Sequence, residues 1–195
     1  MSGVAAIVLA AGRGTRFGTA PKLLAPLMGK PLVRHVVDAA VGSLAQPVIV
    51  VTGHRADEVE ASLDGAPVRI VRNSAFAEGL STSLKAGFKA LPAEARATVV
   101  LLGDMPLVGK GLIDGLVKSW RDMDEPAALV PTLNGRRGNP VVLSRALEDL
   151  IEGLSGDMGA GRVLRDRADV LEWPTDDEAI LQDIDTEGEL GKLQP

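Results

Sequence analysis

The chain has 195 residues, a formal net charge of −5, a pI near 5.1 and no cysteine. That acidity argues against a nucleic-acid partner, which calls for a basic face; the missing thiols exclude disulfides, Cys-ligated zinc and thiol chemistry and fit a reducing compartment. Hydrophobic residues make up 46% and charged residues 24%, a globular composition, and with no basic leader and no apolar run near ~18 residues the expectation is a cytoplasmic protein off the membrane.

Strand-like and helix-like segments alternate from end to end, which predicts an α/β fold. Val4 to Ala10 reads as a buried strand, and Pro31 to Val41 as a helix opened by proline. Pro47 to Val51 is a β-branched strand, followed by a helix over Ala56 to Leu63. Val68 to Val71 and a helix over Leu80 to Leu91 come next. Thr98 to Leu102 is the most apolar strand and runs into Gly103-Asp104-Met105-Pro106, after which a helix covers Lys110 to Trp120. Ala127 to Pro131 and Val141 to Leu143 are later strands, with short helices over Ser144 to Glu152 and Gly161 to Asp166. Val170 to Trp173 and a terminal helix complete the series. No repeat or linker interrupts it, so residues 1–195 read as one domain. Near-continuous apolar strands imply helices on both sheet faces.

The first strand ends in Leu9-Ala10-Ala11-Gly12-Arg13-Gly14-Thr15-Arg16-Phe17-Gly18, with Pro21-Lys22 behind it. An apolar strand delivering a Gly-rich loop presents bare backbone N–H groups to an anion, and Arg13, Arg16 and Lys22 add positive charge. The dinucleotide fingerprint requires glycine where Phe17 stands and an acid after the second strand, where Val50-Val51-Thr52-Gly53 has none. The P-loop requires Gly-Lys-Ser/Thr, and Gly29-Lys30-Pro31 fails it. The pattern that does fit is L-A-A-G-x-G-x-R-x-G followed by Pro-Lys, which resembles the signature loop of nucleotidyltransferases that move a nucleoside monophosphate from an NTP onto a phosphate.

Ligands of open α/β sheets gather at the carboxyl ends of the strands, which puts Asp104 beside this loop. A carboxylate there suits a hard divalent cation bridging protein and triphosphate; the competing role is a turn or cap aspartate before Pro106. Asp185, in Asp183-Ile184-Asp185-Thr186, is a second candidate ligand if the tail packs back, while Asp185 or Thr186 also precedes a helix start with a capping signature. In Asn73 to Leu84, Ser81, Thr82 and Ser83 follow Gly79 at a helix start and serve either a nucleoside or simple capping. Gly135 to Pro140 and Gly156 to Arg162 are polar Gly-rich loops that either receive an anionic substrate or are solvated turns. His35 reads as a helix-surface residue, and His54 as a strand-end residue near the pocket.

Together these pieces resemble the MobA-like nucleotidyltransferases, and within them the molybdenum cofactor cytidylyltransferases. The resemblance spans nearly the whole chain: the first loop with Lys22, Asn73 through Ser83, Gly103-Asp104-Met105-Pro106, Gly138-Asn139-Pro140-Val141, Gly156-Asp157-Met158-Gly159-Ala160 and Asp183-Ile184-Asp185-Thr186 occur in the family's order. It implies a three-layer α/β/α domain with a mostly parallel mixed sheet, as in nucleotide-diphospho-sugar transferases, and Mg²⁺ held by Asp104 and Asp185. It also implies CTP as donor, molybdenum cofactor as the phosphorylated acceptor, and hand-over to a molybdoenzyme or its chaperone. Leu9, Ala10, Ala11, Gly12, Arg13, Gly14, Asn73, Gly79, Ser81 and Ser83 would face the nucleotide, and Arg16, Lys22 and Asp104 would act on its phosphates. Other phosphorylated acceptors such as sugar phosphates, GTP as donor, or a non-catalytic nucleotide-binding regulatory module are the alternatives. A phosphate monoester is already largely anionic at neutral pH, so no general base is needed and catalysis reduces to positioning and charge neutralisation.

Overall fold

The computed structural model describes residues 3–15, 17–18, 20–165 and 167–193. The apolar run that opens the chain forms β1 (Val4–Ala10), buried along its whole length. It is followed by a hairpin of β2 (Pro26–Leu27) and β3 (Lys30–Pro31), then α1 (Leu32–Val41), β4 (Val48–Thr52), α2 (Ala56–Ser62), β5 (Arg69–Arg72) and α3 (Leu80–Lys89). The second half comprises β6 (Ala97–Leu102), α4 (Lys110–Asp122), β7 (Ala128–Leu133), β8 (Arg136–Arg137), β9 (Val141–Ser144), α5 (Glu148–Glu152), α6 (Ala160–Val163), β10 (Val170–Pro174) and α7 (Glu187–Lys192).

The sheet runs β10-β7-β9-β6-β1-β4-β5, with β8 paired to β7. β1 is parallel to both β4 and β6, and β5 is parallel to β4. β9 runs antiparallel between β6 and β7, which makes the sheet mixed. Period-two alternation splits β1 between two cores. Val4, Ala6, Val8 and Ala10 meet α1 and α4 through Val33, Val37, Ile113 and Trp120; Ala5, Ile7 and Leu9 meet α3 and α5 through Leu84, Phe88 and Ile151. Each large side chain buried in these layers contributes roughly 1.5–3 kcal/mol. The single three-layer α/β domain is as the sequence implies.

Differences are local. The helix expected from Pro31 starts at Leu32, with Pro31 in the cap position, and that expected to reach Leu91 stops at Lys89. Ser144 ends β9 and accepts from the Ala146 N–H, capping a 3₁₀ turn over Arg145–Leu147 before α5. The sixth expected helix begins at Ala160, and its expected end, Asp166, lies outside the described residues. β2, β3 and β8 were not anticipated, because two-residue strands are too short to show a period. A third, small core of Phe17, Ala25, Leu27, Leu32, Ile184 and Leu190 pins the tail against the first loop and the β2–β3 hairpin. Among the described residues no helix is long and apolar enough to cross a membrane.

Candidate active site

Where β1 and β6 end side by side, the Gly103 N–H donates to the Leu9 carbonyl at 2.9 Å. The loops leaving both strands therefore share one sheet edge. A cavity of about 470 Å³ opens there, lined by Leu9, Ala11, Gly12, Arg13, Gly14, Lys22, Gly79, Ser83 and Asp104 among others, a volume suited to a small-molecule ligand.

Its charged end is built from distant parts of the chain. Lys22 opens a 3₁₀ turn over Lys22–Leu24 and lies directly against Gly14, where an added Cβ would stand 2.7 Å from the Lys22 Cβ. Gly14 also has φ +58°, so glycine is required there on both counts. The Lys22 ammonium sits 2.7 Å from Asp104 Oδ2 and 2.7 Å from Asp185 Oδ1, with only 8% of the lysine side chain exposed. Burial works to lower the Lys22 pKa, but the paired carboxylates Asp104 and Asp185 outweigh it and hold the amine above the usual lysine value. Asp185 arrives because the Ile184 N–H donates to the Asp104 carbonyl at 3.0 Å. Thr186 and Glu189 form a capping box at α7, and α4 takes Gly109 as its cap. The capping roles considered for Asp104 and Asp185 thus fall to other residues.

The two carboxylate oxygens touch one ammonium, so they are no further apart than twice that contact distance. Two hard oxygen donors this close fit a divalent cation such as Mg²⁺ or Mn²⁺. Among the described residues no group of three His, Cys, Asp or Glu side chains forms a cage, so phosphate oxygens and water would complete the shell.

Other expected site residues are placed differently. Ala10, Asn73 and Ser81 are buried behind the cavity wall rather than on it. Asn73 supports the wall: its amide donates to Thr82 Oγ1 at 2.8 Å and to Ser83 Oγ at 3.0 Å, and its Oδ1 accepts from the Ala75 N–H. The cap of α3 is Gly79, with no side-chain cap, so simple capping does not describe the hydroxyls either. His35 is half-buried, its Nε2 2.8 Å from the Leu27 carbonyl, which corrects its surface assignment. His54 holds the first loop through its N–H to the Ala11 carbonyl. Arg16 lies outside the described residues.

A second cavity of about 380 Å³ shares Leu9, Leu80 and Leu102 with the first. Leu84, Val100, Val130, Val141 and Leu164 make it apolar, while Arg137, Asn139 and Arg165 bring polar groups. Both Gly-rich loops contribute, through Gly138-Asn139 and Gly159-Ala160-Gly161. Gly156 and Asp157 pack on Gly79 (φ +114°), where an added Cβ would fall 2.2 Å from the Gly156 carbonyl carbon.

Sequence reasoning missed Phe76, Asp157, Arg165 and the apolar floor. Phe76 lines the first cavity, carries the Arg13 guanidinium 5.7 Å from its ring centroid and stands 5.9 Å from the His54 ring. It is one of three phenylalanines in the chain and sits in a polar Gly-rich segment, a signal that could have exposed it.

The chain is 34% identical over 166 residues to the bifunctional protein GlmU of Pelobacter propionicus, covering 85% of this chain and 34% of that protein; it thus spans about a third of the GlmU relatives it matches. It is 30% identical over 200 residues to nicotine blue oxidoreductase of Paenarthrobacter nicotinovorans, covering 97% and 96% of the two chains. Among solved structures, Rv0371c of Mycobacterium tuberculosis superposes with a TM-score of 0.83 at 27% identity over 97% of each chain, and that protein has also been solved in complex with manganese. A nucleotidyl transferase from Methanothermobacter gives a TM-score of 0.82 at 27% identity, covering 98% and 95%. Residues 6–170 match the model of the MobA-like NTP transferase domain, and the chain belongs to that family of nucleotidyltransferases.

Proposed function

We propose that this protein transfers CMP from CTP to the terminal phosphate of a flat, phosphorylated acceptor of the molybdopterin type, releasing pyrophosphate. The observation that carries the reading is the adjacency of the two cavities, a charged one ending in Lys22, Asp104 and Asp185 and an apolar one beside it. The acceptor phosphate oxygen attacks the α-phosphorus, the Pα–O bond to the β-phosphate breaks, and that oxygen leaves with pyrophosphate. Backbone N–H groups of Ala11 to Gly14, with Arg16, hold the β- and γ-phosphates. Lys22 neutralises charge at the α-phosphate, where it grows toward the transition state. Asp104 and Asp185 would hold Mg²⁺, which supplies further charge neutralisation on the triphosphate. No side chain has to abstract a proton, since the acceptor is already anionic.

The second cavity favours a flat heterocycle over a sugar. Sugar hydroxyls set against Leu84, Val100, Val130 and Leu164 would lose water without gaining partners, whereas a heterocycle buries its faces there and reaches Asn139, Arg137 and Arg165 with its polar substituents. CTP as donor rests on Ala11. That residue is 3% exposed, and its Cβ and the Phe76 Cβ both crowd Gly53, at 2.8 and 2.7 Å from where a Cβ would be. A base at this end meets a methyl group with an aromatic side chain close behind, which favours the smaller pyrimidine.

The relative named nicotine blue oxidoreductase, which matches along nearly its full length, supports a second reading in which the apolar cavity serves reduction of a heterocycle. One experiment addresses both. The protein is incubated with molybdenum cofactor or a sugar phosphate and CTP, GTP or ATP, and in parallel with NADH or NADPH. Pyrophosphate release with CTP above the others is expected. Release with GTP would overturn the cytidylyl assignment alone, release only with a sugar phosphate would overturn the acceptor, and pyridine-nucleotide oxidation without pyrophosphate would overturn the transferase.

A further inference from the structure

We infer that Asp104 and Asp185 form one cation site with two alternative occupants, the Lys22 ammonium and a divalent metal, so that the free protein excludes metal and the incoming triphosphate admits it. The inference rests on the metal-site reading above and adds an order of binding to it. Three segments far apart in sequence converge to make the site: the turn after the first loop, the end of β6 and the tail before α7. The Lys22 ammonium lies 2.7 Å from an oxygen of each carboxylate. The lysine side chain is nearly buried and its stem packs on Gly14, so the ammonium is held between the carboxylates rather than waving above them.

Two carboxylates this close favour a cation between them, since like charges at short range repel. Lys22 supplies that cation from within the chain. A metal bound to the same oxygens meets the lysine charge at contact range, so one must leave for the other to enter. Triphosphate oxygens in the adjoining loop at Ala11 to Gly14 give the ammonium new anionic partners to move to. Nucleotide and metal therefore strengthen each other's binding by the same factor, as linkage requires. Lys22 then arrives at the phosphates in the same movement that opens the metal site, and it acts as both place-holder and phosphate ligand.

The test measures Mn²⁺ uptake by the full chain from the loss of the free-ion electron paramagnetic resonance signal. Without nucleotide, Lys22→Gln (or Lys22→Met, whichever has the wild-type circular dichroism) is expected to bind Mn²⁺ about tenfold or more tightly than wild type, within the usual range of such couplings. Lys22→Arg, which keeps the charge, should stay with wild type. The double variant carrying Lys22→Gln and Asp104→Asn should lose the gain. Equal Mn²⁺ binding by wild type and Lys22→Gln, or a gain in Lys22→Arg, overturns the exchange. A separate arm protects the distinction from the underlying reading: with a non-hydrolysable CTP analogue present, Asp104→Asn should weaken Mn²⁺ uptake. If it does so while Lys22→Gln shows no gain, the metal site stands and the exchange falls. If Asp104→Asn changes nothing, both fall.

Discussion

The two cavities at the sheet edge are neighbours, yet they are made in opposite ways. The first takes its loop from one continuous stretch, Leu9 to Thr15, and completes it with Lys22, Asp104 and the segment from Phe76 to Ser83, and much of its chemistry is backbone N–H and formal charge. The second draws side chains from β1, α3, β6, β7, β9 and both late loops, and its chemistry is apolar area with arginine added. A site for triphosphate needs close approach of backbone, which glycine spacing encodes locally. A site for a flat acceptor needs shape, which only the packing of distant elements creates. On the proposed assignment, the contrast teaches that the donor half of the site is constrained by motif and the acceptor half by tertiary fit.

Asp104→Asn gives the sharpest break between the halves. Turnover should fall about 10²-fold or more, because a neutral amide is a poor partner for a hard cation and for the Lys22 ammonium. Circular dichroism and acceptor affinity should be unchanged; a folded variant with wild-type turnover would remove Asp104 from the site. Gly79→Ala tests the start of α3, whose Leu80 the two cavities share. Its new methyl would meet the Gly156 carbonyl at a strained φ of +114°, at a cost of about 3 kcal/mol from strain and overpacking together. Urea unfolding should report that loss, with weaker binding of both substrates; selective loss of one would mean the partition is not shared.

Arg137→Ala with Arg165→Ala addresses the second cavity alone. The acceptor KM should rise about tenfold, the scale of a lost charge-assisted contact, with the CTP KM unchanged. The exposed ion pair of Arg137 with Glu172 contributes little to stability, so unfolding midpoints should barely move. Ala11→Gly sharpens the donor side: kcat/KM for GTP relative to CTP should rise about tenfold, the lower end of the reach of one methyl group. An unchanged ratio would detach base choice from Ala11. The smallest effect belongs to Thr186→Ala, which removes the cap of α7 and should cost about 1 kcal/mol in the tail that carries Asp185.

Much of this was legible in the residues. The central strand, its loop and Asp104 after the strand beside it could be read from apolar runs and glycine spacing, because parallel strands buried on both faces leave that mark in any sequence. Asn73 and Ser81 were legible as part of a site but not as standing behind its wall; the direction of a buried side chain depends on what packs around it. His35 looked like a surface residue because the β2–β3 hairpin that supplies its Leu27 partner was too short to announce itself.

By itself the sequence determined the order of elements, the phosphate loop and which ionisable residues were available to it. Only the tertiary structure decided that Lys22 lies between Asp104 and Asp185, since those three charges meet across 163 residues of chain, and meeting depends on the small core of Phe17, Leu27, Ile184 and Leu190 that folds the tail back. It also decided that β6, β7 and β9 leave an apolar hollow beside the charged one. Local spacing encodes what neighbouring backbone can do; convergence of distant side chains is fixed by burial of area, and no local pattern records it.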